Sequence, residues 1–286
     1  MSQVLFNAVI LSATYALIAL GITLIFSIMN VLNFAHGQMF MMGGFAVYYV
    51  YGEFHLPYAV GLVVAAVGVG AIGVILEVFF FRRVRRMATR EENSMLLAVG
   101  TALLLENIAL FAFGEKERGV PDVVSGVYRV GGAFLPAQRL FVLAVALVLI
   151  VGLLVFVQYT RPGRAMRALA QDREVTLLMG VNVDRISMLG FGVGAALAGL
   201  AGGLLITLSG VNAGIGATIT TKAFIMIMIG GAGVVAGSIV GAVVLGLAEA
   251  IGYAYLPGSI TYLLIFLVLI IFLILRPQGL MGKPWG

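Results

Sequence analysis

Three polar side chains stand close together in an otherwise apolar stretch, in the order Asn33-Phe-Ala-His36-Gly37-Gln38. An imidazole beside two amides can pass a proton, hold a metal or line a polar path. Metal and thiol chemistry find little support, because the chain has two histidines, His36 and His55, and no cysteine. Neither H-E-x-x-H nor a G-x-x-x-x-G-K-[ST] phosphate loop occurs, so zinc-dependent hydrolysis and ATP binding have no visible seat. Two readings of His36 stand: a polar lining shared with Asn33 and Gln38, or a histidine satisfied within a helix bend. Glu106 and Glu249 lie inside apolar runs, where an ionisable group is a functional candidate by default. Both fall toward run ends, so satisfaction by water or neighbouring backbone is the favoured reading. Lys222 reads as a marker of the outer boundary.

The chain that must position these groups is 62% hydrophobic and 10% charged, against about 25% charged for a soluble domain. Residues 1–52, 140–160, 186–221, 223–248 and 250–275 contain no Asp, Glu, Lys or Arg. A helix needs about 20 apolar residues to cross the hydrocarbon, so each run can hold a span. Long spans are expected at 4–29, 57–81, 94–113, 139–158, 186–209, 234–254 and 258–275, with shorter pieces at 38–51 and 221–231. The fold class is therefore an all-α polytopic membrane protein, one transmembrane domain over 1–286, with eight or nine segments. A β-barrel would show short alternating segments instead. No basic region precedes the first apolar run, so it is expected to be a true span and not a signal peptide.

Arginine placement sets the sides. Arg82, Arg83, Arg85, Arg86 and Arg90 fall in one loop, and Arg161, Arg164, Arg167, Arg173 and Arg185 in another. Both are expected in the cytoplasm by the positive-inside rule, with 114–138 outside. Arg276 and Lys283 then place the C-terminus in the cytoplasm. The net charge of +5 is explained by this topology and gives no sign of a nucleic-acid partner.

Two places interrupt the hydrophobic pattern. One runs from Asn30 through Gln38 to Met41-Met42-Gly43-Gly44. The other runs from Asn212 through Gly214, Gly216, Thr218, Thr220, Thr221 and Lys222 to Met228-Ile229-Gly230-Gly231-Ala-Gly233. Unwound backbone at membrane depth survives only where protein or a water-filled cavity satisfies it, and paired interruptions point to a transporter's substrate site. The candidate path residues are Asn33, His36, Gly37, Gln38, Gly43, Gly44, Thr220, Thr221, Gly230 and Gly231. Laying Met41–Gly44 over Met228–Gly231 also lays 4–29 over 186–209, five spans apart, which would make an inverted repeat. Two unrelated loops between helices is the alternative. Gly190, Gly194, Ala198 and Gly202, and then Gly233, Gly237 and Gly241, recur every four residues and predict close helix packing.

The loop at 159–185 carries a short amphipathic helix. Asp172 can cap its start, Glu174 suits its first turn, and Gly180 suits the position after its end. Val175, Leu178 and Met179 make one apolar face, with Arg173 and Glu174 at its edge. Such a helix either docks in another protein's groove or lies on lipid headgroups.

This loop resembles the coupling loop of permease subunits in branched-chain amino acid ABC importers, the LivH-type family. The resemblance rests on Gly163-Arg164-Ala-Met-Arg167-Ala, Gln171-Asp172 and Leu178-Met179-Gly180-Val-Asn182. Asn33–Gln38 with Gly43-Gly44, Gly230–Gly233 with Gly237 and Gly241, and Arg276-Pro277-Gln-Gly279-Leu280 are similar to three further family motifs, in the same order. The resemblance implies a transport subunit and not an enzyme, in a bacterial inner membrane. It also implies a second homologous permease subunit, two cytoplasmic ATP-binding subunits and a periplasmic binding protein, with no cofactor. The residues from Asp172 to Gly180 would then be the contact with the ATPase. A polar but uncharged path suits a zwitterionic aliphatic amino acid, since helix ends and carbonyls offer dipoles to both its charges. Import of urea or short amides, ion-coupled secondary transport and a passive channel are the competing readings.

Overall fold

The computed structural model describes residues 2–87, 92–130 and 133–282. Arg90 and Lys283, two of the charges used to assign sides, lie outside the described residues. The chain begins with α1 (Ser2–Met29). After it come α2 (His36–Val47), which runs on through a π-helical turn at Tyr48–Glu53, and α3 (Tyr58–Leu76). A second π-helical turn, Glu77–Phe81, leads from α3 into α4 (Arg82–Met87), and α5 (Glu92–Phe113) follows. A hairpin of β1 (Val127–Val130) and β2 (Ala133–Pro136) pairs antiparallel. The remaining helices are α6 (Ala137–Tyr159), α7 (Arg161–Gln171), α8 (Arg173–Leu178), α9 (Val183–Ser209), α10 (Ile215–Gly230), α11 (Val235–Tyr255) and α12 (Gly258–Leu275).

Among the described residues, seven helical stretches are long and apolar enough to cross a membrane: 2–29, 58–85, 93–113, 137–159, 183–209, 235–255 and 258–275. They match the seven long spans expected from the apolar runs. The protein is an all-α polytopic membrane protein in class. Burial separates centre from rim: 83% of the apolar window of α1 is buried and 67% of that of α9, against 22% in α5 and 11% in α12. The core is therefore α1 and α9, with α2, α3, α10 and α11 around them.

The contacts have a paired pattern. α1 lies along α11 as α9 lies along α3, α2 packs on α3 as α10 packs on α11, and α1 crosses α9. Small residues make these contacts close. A methyl group on Gly43 of α2 would run into the backbone of Gly199 on α9, and one on Gly202 would strike the carbonyl oxygen of Phe40. Gly237 and Gly241 meet the backbone of α10 at Gly230 and Met226 in the same way. The expected glycine stripes are thus packing surfaces, except that Gly233 stands before α11 with φ +80.

Both interruptions are shorter than expected. The first is confined to 30–35, and His36–Gln38 are already the first turn of α2. The second divides into 210–214 and 231–234, with α10 helical between them. Thr218, Thr220, Thr221 and Lys222 therefore lie in a helix, not in a break. Of these, Thr220 faces the start of α2. The Met/Gly match also marks unlike positions, since Gly43 and Gly44 sit inside α2 while Gly230 and Gly231 end α10.

Each end of the bundle is tied together. At one end Arg118 and Val211 form a β-bridge, Arg139 donates to Asn7 at 2.6 Å, and the backbone N–H of Phe134 donates to Gln3 at 3.0 Å. At the other, Arg82 donates to the carbonyl of Asp184 at 3.1 Å, joining the two arginine-rich regions. The tail joins α10 through Leu280 N–H to Ile229 O at 2.8 Å and Met281 N–H to Gly230 O at 3.0 Å.

Candidate functional site

The N-termini of α2 and α10 meet inside the bundle. Gly37 lies so close to Gly216 that a methyl group on it would overlap the Gly216 carbonyl oxygen. Only glycines permit this approach. Thr220, one turn further along α10, accepts from the Gly37 N–H at 3.0 Å and donates to the Phe34 carbonyl at 3.1 Å. Asn33 folds back to accept from Ala35 N–H at 3.1 Å, which satisfies part of the broken backbone. His36, fully buried, places Nε2 3.1 Å from the carbonyl oxygen of Ile18 on α1. Gln38 donates from Nε2 to Glu106 of α5 at 3.1 Å.

These bonds leave polar capacity in reserve. Asn33 Nδ2, His36 Nδ1 and Gln38 Oε1 are buried without a protein partner among the described residues. Unpaired buried polar atoms are costly, and they cluster where a ligand or water is handled. Five of the ten path residues expected from the sequence thus come together: Asn33, His36, Gly37, Gln38 and Thr220. The other five do not join them. Gly43 and Gly44 pack against α9 and Val211, and Thr221 faces outward and bonds its own helix at Ala217 O, 2.9 Å. Gly230 and Gly231 lie at the opposite end of α10, about 21 Å along its axis from Gly216. His36 is bonded at one nitrogen and stands in the polar cluster, a placement compatible with either expected reading.

A second polar group was missed. Lys222 Nζ lies 2.8 Å and 3.0 Å from the two carboxylate oxygens of Glu249 on α11 and donates to the hydroxyl of Tyr15 on α1 at 2.7 Å. Tyr15 donates to the same carboxylate. The Lys222 side chain is only 12% exposed, so it is a cation held within the bundle. The Tyr15 and Tyr262 rings flank the ammonium at 5.1 and 5.7 Å. Glu106 and Glu249 each find a side-chain partner, where water or backbone was expected. One signal was available: between 186 and 275 the chain has a single cation, Lys222, and a single anion, Glu249.

Outside the apolar spans, 159–185 folds as two helices. The longer, α7, was not anticipated. Thr160 caps it by accepting from Gly163 N–H at 3.1 Å, and it buries Met166 and Leu169. α8 is the expected short helix. Asp172 accepts from Glu174 and Val175 N–H, each at 2.9 Å, and Gly180 follows with φ +77. Val175 is 53% exposed, Leu178 86% and Met179 78%, and Leu177, at 53%, widens the apolar face. Thr176 alone in α8 is buried.

A bundle of long apolar helices, with two shorter helices meeting in its interior, is the architecture of a multi-pass membrane protein. Residues 4–273 match the model of the permease component of branched-chain amino acid transport systems, and the chain belongs to that family. Its members are transport components, not enzymes. It is 33% identical over 296 residues to the high-affinity branched-chain amino acid transport permease LivH of Escherichia coli K12, covering 99% of this chain and 96% of that one. It is 31% identical over 294 residues to the corresponding permease BraD of Pseudomonas aeruginosa, with coverage of 99% and 96%. It is 25% identical over 301 residues to a probable LivH of Methanocaldococcus jannaschii, with coverage of 99% and 93%.

Proposed function

We propose that the chain forms half of the path of an ATP-driven importer for branched-chain amino acids. A second homologous permease subunit completes the path, two cytoplasmic ATP-binding subunits drive it, and a periplasmic binding protein delivers the substrate. The observation that carries this reading is α8. A six-residue helix capped by Asp172 displays Leu178 and Met179 at 86% and 78% exposure, next to the apolar spans but outside them. A helix this short does not hold itself together in water, and a groove in a partner gives its apolar face a place to bury.

In this reading α2 and α10 both cross, which makes nine crossings with the N-terminus outside and the C-terminus in the cytoplasm of an inner-membrane protein. The paired packing of α1–α3 and α9–α11 supports an inverted repeat whose axis passes the Gly37–Gly216 crossing. Asn33, His36 and Gln38 line the substrate path, and their spare polar atoms face a zwitterion or the water that travels with it. Asp172, Arg173, Glu174, Val175, Leu178, Met179 and Gly180 are the contact with the ATPase.

The experiment is co-purification of the ATP-binding subunits with Leu178→Asp and Met179→Asp, with substrate-stimulated hydrolysis measured beside it. An unpaired charge in a buried interface costs several kcal/mol, so association or stimulation should fall sharply while the variants still insert. Normal values of both in well-expressed variants would remove α8 from the coupling role and favour the lipid surface.

A further inference from the structure

A cluster of charges lies beside α8 that neither the path nor the docking face uses. Glu77 opens the π-helical turn between α3 and α4 and is fully buried. Arg85 engages both its oxygens, at 2.8 Å and 3.4 Å, and Arg82 Nε lies 4.0 Å away. Asp184, in the first turn of α9, lies 3.9 Å from each of Arg82 and Arg85. Arg82 also donates to the Asp184 backbone carbonyl at 3.1 Å. Arg173, the first residue of α8, stands within the field of the same cluster. Partial burial and neighbouring Arg85 hold its guanidinium below the ordinary arginine pKa, while Asp184 and Glu77 act in the opposite direction.

A buried ion network is a poor way to gain stability, since apolar side chains of similar volume do as well or better. Its strength is in fixing geometry. Here it fixes three things to one another: the π-turn of α3, the start of α9, and through the short link 179–182 the end of α8. That link is itself held, by Val181 N–H to Thr176 O at 3.3 Å and Arg185 N–H to Asn182 Oδ1 at 3.0 Å. α3 and α9 pack along each other, and α9 carries the glycines that meet α1 and α2. π-turns within helices recur at functional sites, and this one aims its carboxylate at the arginines.

We propose that Glu77 is a positioning residue for energy coupling: its ion network with Arg82, Arg85 and Asp184 carries displacement of α8 into α3 and α9. The inference rests on the reading of α8 as the ATPase contact. Removing the Glu77 charge leaves the docking face intact but loosens what the face is attached to. Docking and transmission are therefore separable.

The test uses the assembled importer in liposomes with Glu77→Gln, which keeps shape and removes charge. Co-purification of the ATP-binding subunits should be unchanged. Substrate imported per ATP hydrolysed should fall roughly fivefold, the scale on which residues along a coupling network act. Arg85→Gln should give the same loss, and the double variant no more than either alone, because both break one network. A wild-type ratio in Glu77→Gln, or loss of ATPase association in it, overturns the inference. The reading beneath it fails separately, if Leu178→Asp leaves association and stimulated hydrolysis normal. Should Glu77→Gln not accumulate, Asp184→Asn, whose side chain is 31% exposed, decides between the same outcomes.

Discussion

The ammonium of Lys222 on α10 and the carboxylate of Glu249 on α11 lie 2.8 Å apart in a chain segment where they are the only charges. Each supplies the other with a partner inside an apolar bundle. Breaking a buried pair by removing one partner costs about 3–5 kcal/mol, because a bare charge remains. Lys222→Met should therefore lower the midpoint of thermal unfolding in detergent markedly. Lys222→Met with Glu249→Gln should recover most of that loss, since Gln can still accept from Tyr15. A double variant no more stable than Lys222→Met would mean the pair does not hold α10 to α11.

The Gly37–Gly216 crossing predicts a steric effect. Gly37→Leu must push α2 away from the α10 backbone, and overpacking of this kind costs about 1–3 kcal/mol. Uptake should be lost even where the protein is retained in the membrane. Gly68→Leu on α3 is the control, because a Cβ there meets nothing within 4 Å, and it should transport normally. Equal behaviour of the two variants would deny the crossing any special role.

Sidedness can be read by labelling, since the chain has no native cysteine. Ser125→Cys should react with an impermeant maleimide in intact cells, and Ala170→Cys should react only after permeabilisation. Reaction at 170 in intact cells would reverse the assignment. The structure already requires that the two arginine-rich regions share one end, because Arg82 and Arg85 reach Asp184.

The caps of α8 give a graded prediction. Asp172→Ala removes an acceptor for two N–H groups and should cost the helix about 1 kcal/mol, weakening but not abolishing ATPase association. Gly180→Val is harsher, because a β-branched residue is strained at φ +77. ATPase retained on affinity resin should fall in the order wild type, Asp172→Ala, Gly180→Val.

Legibility in the sequence followed the range of the physics. Apolar runs of bilayer length, with at most one glutamate inside, located the seven long helices, because hydrocarbon tolerates little else. Asp172 and Gly180 announced α8, because capping is local chemistry. The polar cluster at Asn33, His36, Gln38 and Thr220 was half legible: the break was visible, but Gly216 was assigned to a loop because glycines for close approach and glycines for turns look alike in one dimension. Gly43, Gly44, Gly230 and Gly231 share the two interruptions with the polar residues, and composition alone does not distinguish the middle of a helix from its end. α7 is not evident when the arginine-rich stretch 159–185 is read as one loop around a single short helix. The Glu77 network joins residues more than a hundred positions apart, and nothing local to Glu77 names Asp184 as its neighbour.

The central claim, an amino-acid path powered by a separate ATPase, is tested most directly by uphill uptake of labelled leucine into proteoliposomes. With the second permease subunit, the ATP-binding subunits and the binding protein present, leucine should accumulate only when ATP is supplied on the cytoplasmic face, and an imposed proton or sodium gradient should add nothing. Accumulation by this chain alone under such a gradient, without ATP, would contradict the account and make it an ion-coupled transporter.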